Sequence, residues 1–164
     1  MIRYAVTQRA LFAGDEVQRS AELARRATEW AAEGVDFVQL RERDLEAGAL
    51  AELARQLVAV MGSQTRLLVN GRADVAVAVG AAGVHLTGHR DELTPAQVRW
   101  VFDEAGAGAP VISVSCHSVA EVVRARDAGV DMILFGPVFE KRVGGEVVVE
   151  GVGINEWLLE TPLK

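Results

Sequence analysis

A short pattern recurs along this chain: a helical stretch ends in glycine, and an apolar strand-like segment follows. The three copies are Ala32-Glu33-Gly34-Val35-Asp36, Ala81-Ala82-Gly83-Val84-His85 and Asp127-Ala128-Gly129-Val130-Asp131. Glycine takes the left-handed conformation at a helix C-terminus without steric cost, and the valine after it opens an apolar run typical of buried parallel strands. The repeat therefore predicts a chain that alternates helix and strand.

The rest of the sequence supports this alternation. Apolar segments predict six strands, over residues 3–7, 37–41, 66–70, 84–86, 111–114 and 132–135. The clearest helical pattern places one apolar face along Leu50, Leu53, Ala54, Leu57, Val58 and Met61. Residues 94–97 (TPAQ) and 118–121 (SVAE) each match a capping box, which predicts that a helix begins there.

Alternating strands and helices predict a parallel sheet, either open and doubly wound or closed into an eight-stranded barrel. Polar residues follow several strands rather than gathering at one crevice, at Gln39, Arg41, Asn70, Thr87, Ser115 and His117. This distribution favours the barrel, because barrels hold their active sites on the C-terminal rim. Eight units usually need at least about 200 residues. We therefore expect an α/β fold, a (β/α)8 TIM barrel truncated after the six predicted strands.

Composition restricts the partners of the protein. The net charge of −6, with both signs mixed along the chain, argues against nucleic acid or an anionic membrane, since both require basic patches. No apolar run reaches the roughly 18 residues of a membrane span. The single cysteine, Cys116, excludes an intrachain disulfide and a cysteine-cluster metal site. We expect one cytoplasmic domain over residues 1–164 whose ligand is a small molecule.

Motifs shared with a known superfamily occur in matching order and spacing. They cover residues 39–44 (QLRERD), 69–74 (VNGRAD), 83–86 (GVHL), 113–118 (SVSCHS) and 135–139 (FGPVF). In this arrangement the chain resembles the thiamine phosphate synthase/TenI superfamily. The resemblance implies a (β/α)8 barrel that handles the thiazole or pyrimidine precursor of thiamine, and it implies a homodimer.

The chain departs from the synthase pattern at the metal-binding carboxylates. The resemblance implies an Asp directly after Asn70, where this chain has Gly71, and a Gln-Glu-Asp segment after the fourth strand, where residues 87–92 read TGHRDE. In the synthases these carboxylates hold magnesium at a pyrophosphate leaving group, and magnesium requires hard oxygen ligands. A Thr-x-Thr-Lys type segment that contacts phosphate is likewise replaced, by residues 140–145 (EKRVGG). The expectation is therefore a rim without bound metal near Gly71.

Segments around Arg41, Asn70 and Gly136 look instead like the TenI-type thiazole tautomerases, which are metal-free. We therefore predict an isomerase that aromatises a thiazole phosphate carboxylate by proton transfer, without a cofactor. The resemblance gives the acid/base role to His117, and an imidazole pKa near 6.5 suits that role. The structural alternative is a histidine that only precedes the helix cap at Ser118.

Further rim residues are candidate contacts for a thiazole phosphate or pyrimidine diphosphate ligand: Gln39, Arg41, Arg43, Asn70, Gly71, Ser115 and Gly136. Residues i and i+2 of a strand share a face, so Gln39 and Arg41 are both expected to point into the barrel. Arginine suits bidentate capture of carboxylate or phosphate. Structural alternatives are ion pairs of Arg41 and Arg43 with Glu42 or Asp44, a buried hydrogen bond at Asn70 and a helix cap at Ser115.

Two other functions stay open. A thiamine phosphate synthase with a rearranged metal site would use magnesium, with Asp91 or Glu92 supplying the missing carboxylate, to couple hydroxymethylpyrimidine diphosphate with thiazole phosphate carboxylate. The other is a non-catalytic precursor-binding or regulatory barrel.

Three further expectations concern His85, the Cys116–His117 pair and residues 144–153. His85 is predicted as a hydrogen-bonded core histidine. Cys116 and His117 should face opposite sides of their strand and form no nucleophilic pair. Residues 144–153 are either a lid or a short hairpin.

Overall fold

Six strands form one parallel sheet in the order of the sequence. The computed structural model of the protein describes residues 1–89, 91–138, 141–143 and 146–149. The strands are β1 (Tyr4–Val6), β2 (Phe37–Leu40), β3 (Arg66–Asn70), β4 (Gly83–Leu86), β5 (Val111–Cys116) and β6 (Met132–Phe135). Each strand pairs in parallel with the next one in sequence, and the sheet curls into a half-barrel. All six predicted strands are therefore confirmed.

A helix follows each of the first five strands. These are α1 (Glu16–Ala32), α2 (Ala47–Met61), α3 (Ala73–Val79), α4 (Pro95–Glu104) and α5 (Val119–Asp127), and a short 3-10 turn at Arg9–Leu11 precedes α1. This alternation confirms the truncated (β/α)-barrel prediction. Two further strands, β7 (Lys141–Val143) and β8 (Glu146–Val149), pair antiparallel.

The two predicted helix starts differ in detail. At α4 the capping box is complete, because Thr94 accepts the backbone N–H of Gln97 and the Gln97 side chain accepts that of Thr94. At α5 the Ser118 hydroxyl accepts the backbone N–H of Glu121, but the Glu121 carboxylate accepts the backbone N–H of His117 instead. The α5 cap therefore also ties down the rim residue next to it.

Alternate residues of the strands face two different environments. One set packs against the helices in the hydrophobic core and includes Val38, Leu40, Leu67, Val69, Val84, Ile112 and Cys116. The other set lies on the concave inner face. There Asn70 of β3 is opposite His85 of β4, and His85 is opposite Ser113 of β5. Polar side chains from neighbouring strands are thus brought side by side within the half-barrel.

The strand pair β7–β8 agrees with the hairpin interpretation of this region. Residues 144, 145 and 150–153 of the proposed lid lie outside the described residues. Among the described helices, none combines the length and the apolar character that crossing a bilayer requires.

Candidate functional site

A hydrogen-bonded network of polar side chains lies on the inner face below the rim. The Tyr4 hydroxyl is 3.3 Å from Gln39 Oε1 and 3.2 Å from Ser113 Oγ. His85 Nδ1 is 2.8 Å from Ser113 Oγ, and His85 Nε2 is 3.0 Å from Ser115 Oγ. Buried polar groups require such partners. The prediction of His85 as a hydrogen-bonded core histidine is confirmed, and Ser115 is bound to it.

The network is uncharged near neutral pH. Burial lowers the pKa of His85 to about 4, while the nearby charge of Glu92 raises the pKa and that of Arg41 lowers it further. Burial also raises the pKa of Tyr4 to about 12, against the opposing effect of its hydrogen bond with Ser113.

Gln39 and Asn70 connect this network to the rim. Gln39 is 2% exposed and its Nε2 donates a hydrogen bond of 2.9 Å to Asn70 Oδ1. Asn70 lines a cavity of about 160 Å³ at the ends of β2 and β3, together with Arg43 and Arg72. The structure therefore brings Asn70 and Arg43 together, and it places Gln39 beneath them.

The carboxylates of Glu42 and Asp44 form ion pairs with Arg9 rather than with Arg41 or Arg43. The guanidinium of Arg9 donates hydrogen bonds of 2.9 Å to Glu42 Oε2 and 2.6 Å to Asp44 Oδ2. Within the part of the chain that is described, neither Arg41 nor Arg43 forms an ion pair. Both arginines are exposed at the rim. The alternative of a rim ion pair with Glu42 or Asp44 is therefore not observed.

The carboxylate of Glu92 faces Gly71. Its Oε2 accepts hydrogen bonds from the backbone N–H groups of Thr87, at 2.7 Å, and Gly88, at 3.1 Å. Its Oε1 lies 3.5 Å from the point that a Cβ would occupy at Gly71. Gly71 itself has a φ of +64°, a conformation that L side chains rarely adopt. A carboxylate oxygen thus lies beside the end of β3, although Gly71, the residue that follows the strand, has no side chain.

A groove of about 530 Å³ runs along the ends of β4 and β5. Its lining includes Glu92 together with Ser115 and His117, two residues that the sequence predicts for the site. The hydroxyl of Thr87, also in the lining, is buried without a hydrogen-bond partner among the described residues. The lining also includes Val114, Cys116 and Ala125 of the helix-facing core, so much of the groove lies between the sheet and the helices rather than on the concave inner face.

His117 is held between β5 and β6. Its Nδ1 is hydrogen-bonded to the carbonyl oxygen of Gly136, and its backbone N–H donates to Glu121 Oε2 at 2.5 Å. A carbonyl only accepts, so Nδ1 carries the proton and neutral His117 keeps Nε2 as an acceptor. His117 and Gly136 are thereby brought together at the rim.

Cys116 lies on the other side of the strand. It is buried in the helix-facing core, and burial raises its pKa to about 11. The Cys116 thiol is buried in the core, whereas the His117 ring is hydrogen-bonded to the Gly136 carbonyl, which agrees with the prediction that the two residues form no nucleophilic pair.

Six parallel strands that alternate with five helices, with polar side chains gathered at the carboxyl ends of the strands, define a (β/α)-barrel protein with a candidate site on the C-terminal rim. A family model described as "Thiamine monophosphate synthase" matches residues 4–159. The chain belongs to that family.

Several relatives carry names that bear on function. The chain is 32% identical to a thiamine-phosphate synthase of Caldanaerobacter subterraneus over 91% of its own length and 64% of the relative's. It is 36% identical to one of Azorhizobium caulinodans over 90% of its own length and 66% of the relative's. The chain thus spans slightly less than two thirds of the length of these curated relatives.

Solved structures give the same fold. A thiamine phosphate pyrophosphorylase from Pyrococcus furiosus superimposes with a TM-score of 0.63 at 25% identity, over 85% of this chain and 61% of that one. The corresponding protein from Bacteroides thetaiotaomicron has a TM-score of 0.58 at 20% identity, over 84% of this chain and 59% of that one, which supports the fold alone.

These findings correct the functional prediction. The expectation of a thiazole tautomerase is wrong, because relatives that cover about nine tenths of the chain are named as synthases. The physical origin of the error is visible at Gly71. Its missing carboxylate suggested a rim without metal ligands, but Glu92 reaches the same place from the following βα unit.

Proposed function

We propose that the protein is a thiamine-phosphate synthase, which couples hydroxymethylpyrimidine diphosphate with a thiazole phosphate carboxylate and releases pyrophosphate and carbon dioxide. The single structural observation that carries the proposal is the Glu92 carboxylate beside Gly71. The names of relatives that align with most of the chain support the same reaction. A cytoplasmic location, a homodimer and a small-molecule ligand remain expectations from the sequence.

The synthase function implies magnesium, and the residues present fit a weakly held ion. Magnesium is commonly bound by one or two carboxylates together with substrate phosphates and water. Glu92 offers one carboxylate oxygen, Oε1, beside the end of β3. The described residues contain no group of three or more acidic, histidine or cysteine side chains that could hold a metal ion. Magnesium at Glu92 would therefore depend on the diphosphate of the substrate, whose developing negative charge it would neutralise.

The arginines of the β2–α2 loop supply the remaining positive charge. Arg41 and Arg43 are exposed at the rim, and the carboxylates next to them in sequence are already bound by Arg9. In our proposal they bind the diphosphate, because guanidinium groups match phosphate oxygens in charge and geometry. Stabilising negative charge on a leaving group is a common and large contribution to catalysis.

Neutral groups of the rim orient the substrate. We assign this role to the Asn70 amide, which Gln39 holds in place, and to the Ser115 hydroxyl, which His85 holds. His117 also lines the groove, and its hydrogen bond to the Gly136 carbonyl fixes the orientation of its ring. Preorganised donors and acceptors of this kind lower the barrier by avoiding reorientation during the reaction.

The test is a coupling assay with both phosphorylated precursors, in which thiamine phosphate and pyrophosphate are measured together with and without magnesium. We expect the two products in equal amounts, and only when magnesium is present. Binding of both precursors without release of pyrophosphate would contradict the synthase proposal and favour a non-catalytic barrel.

A further inference from the structure

Arg9 is a buried arginine surrounded by carboxylates at the ends of β1 and β2. The residue is 4% exposed, and its guanidinium pairs with Glu16, Glu42 and Asp44. Its backbone N–H also donates to Glu42 Oε1 at 3.0 Å. A buried charge requires such compensation. Arg9 therefore joins the turn after β1 to the loop after β2 through both its main chain and its side chain.

This arrangement changes which charges of the β2–α2 loop are available. The loop reads Arg41-Glu42-Arg43-Asp44, so each arginine has a carboxylate as a sequence neighbour. Arg9 binds both carboxylates: Glu42 is nearly inaccessible, with a side chain 3% exposed, whereas Asp44 is 69% exposed and is held by its ion pair. The hydrogen bonds of Arg9 also lower the pKa of Asp44, which keeps this carboxyl ionised and bound.

The backbone of the loop is fixed from the same side. The Arg41 backbone N–H donates to the Thr7 hydroxyl at 3.0 Å, and the Thr7 N–H donates to the Gln39 carbonyl at 2.9 Å. Thr7 and Arg9 therefore act on one loop in two ways. Thr7 fixes the main chain at Arg41, and Arg9 binds the neighbouring carboxylates of Glu42 and Asp44.

We infer that Arg9 is a positioning residue for anion binding: by sequestering Glu42 and Asp44, it leaves Arg41 and Arg43 available for the phosphates of the substrate. Arg9 is buried and touches no substrate in this role. The inference rests on the proposed function, since it takes Arg41 and Arg43 as the phosphate ligands. It gives a reason why the two arginines of a loop of alternating charge are not paired with the carboxylates of that loop.

The test measures binding of inorganic pyrophosphate without magnesium, by titration calorimetry on the purified protein. Arg9→Gln should raise the Kd about tenfold, since Glu42 and Asp44 then compete for Arg41 and Arg43. Adding Glu42→Gln and Asp44→Asn to Arg9→Gln removes the competing charges and should restore the Kd to within about threefold of wild type. Arg25→Gln is the control, since it removes an exposed ion-paired arginine of α1, and it should leave the Kd unchanged.

A merely structural role for Arg9 gives a different result, because neutralising its partners cannot rebuild a lost contact. The inference is overturned if the triple variant binds as weakly as Arg9→Gln, or if Arg9→Gln binds like wild type. If Arg9→Gln does not fold, Arg9→Lys replaces it in the same comparison, because lysine cannot hold both carboxylates in a fork. Arg41→Gln separates the two proposals. If Arg41→Gln leaves pyrophosphate binding intact, the proposed phosphate contact fails. If Arg41→Gln loses binding but Arg9→Gln binds like wild type, the phosphate contact stands and only the role of Arg9 fails.

Discussion

Glu92 Oε1 lies 3.5 Å from the point that a Cβ would occupy at Gly71, so a carboxylate from one βα unit faces the end of the strand before it. The other oxygen of Glu92 is fixed by the backbone N–H groups of Thr87 and Gly88. The side chain is thus oriented by the main chain of its own loop. The carboxylate beside Gly71 therefore comes from the loop after β4 and not from the end of β3.

Glu92→Gln tests whether the carboxylate holds magnesium. Glutamine keeps an oxygen that can accept the Thr87 and Gly88 N–H groups, but it removes the negative charge. We expect the magnesium concentration for half-maximal pyrophosphate release to rise at least about tenfold, because magnesium has few other carboxylate ligands here. Asp91→Asn is the matched control, since Asp91 is the exposed neighbour, and it should change that concentration less than about twofold. Equal effects of the two variants would contradict the assignment.

His85 should make the stability of the protein depend on pH. Its folded-state pKa, about 4, lies below the ordinary 6.5, so the unfolded chain binds a proton more readily between these values. The free energy of unfolding should therefore fall as pH decreases from about 6.5 towards 4, by on the order of 3 kcal/mol in total from this group. Urea unfolding at several pH values should show a smaller decrease for His85→Gln. The exposed His89, changed to Gln, should keep the wild-type slope, and an identical slope for His85→Gln would refute the prediction.

Gly83 and Gly48 should respond oppositely to alanine. A Cβ at Gly83 would overlap the carbonyl oxygen of Val111 in the neighbouring strand, whereas nothing lies within 4 Å of a Cβ at Gly48 in α2. We expect Gly83→Ala to destabilise the fold by about 2 kcal/mol or more, because the strands must separate. Gly48→Ala should stabilise by about 0.5 kcal/mol through helix propensity. Thermal unfolding of the two variants measures both, and a Tm of Gly83→Ala equal to that of wild type would show that the strands adjust without cost.

Cys116 should be chemically inert in the folded protein. Its side chain is 1% exposed, and burial raises its pKa to about 11, so both access and ionisation are reduced. We expect alkylation by iodoacetamide at pH 8 to proceed only after unfolding in denaturant. Alkylation of the native protein at the rate of the unfolded chain would show that β5 opens readily.

Much of the fold could be predicted from the sequence because its signals are local. Gly34 and Gly129 have positive φ at helix ends, as the repeat predicts. In the second copy the prediction is wrong, because α3 ends at the left-handed Gly80 and Gly83 begins β4. The Thr94 capping box also depends only on residues a few positions apart. Alternation within strands likewise agrees with the burial of Cys116 in the helix-facing core. Such features need no knowledge of distant contacts.

The interactions that sequence reasoning missed are those between distant segments. Arg9 meets Glu42, and Tyr4 meets Ser113, only after strands pair in register. A lone tyrosine in an apolar strand was a weak signal for the second contact. The sequence also could not predict that Glu92 lies beside Gly71. A carboxylate in the loop after β4 reaches the end of β3 only if that loop folds back towards β3. These contacts are set by tertiary packing, and they decide the chemistry of the rim.

The order of the sheet bears on how the chain acquires its structure. From β1 to β6 every strand pairs with the strand that follows it in the sequence. Each pairing therefore closes a loop of a single βα unit, and loops of this length cost less entropy than pairings between remote segments. During synthesis the sheet can grow from its N-terminal edge as each unit leaves the ribosome. The β2–α2 loop and its partners Thr7 and Arg9, which follow β1, would then form before the carboxylate of Glu92 has been translated.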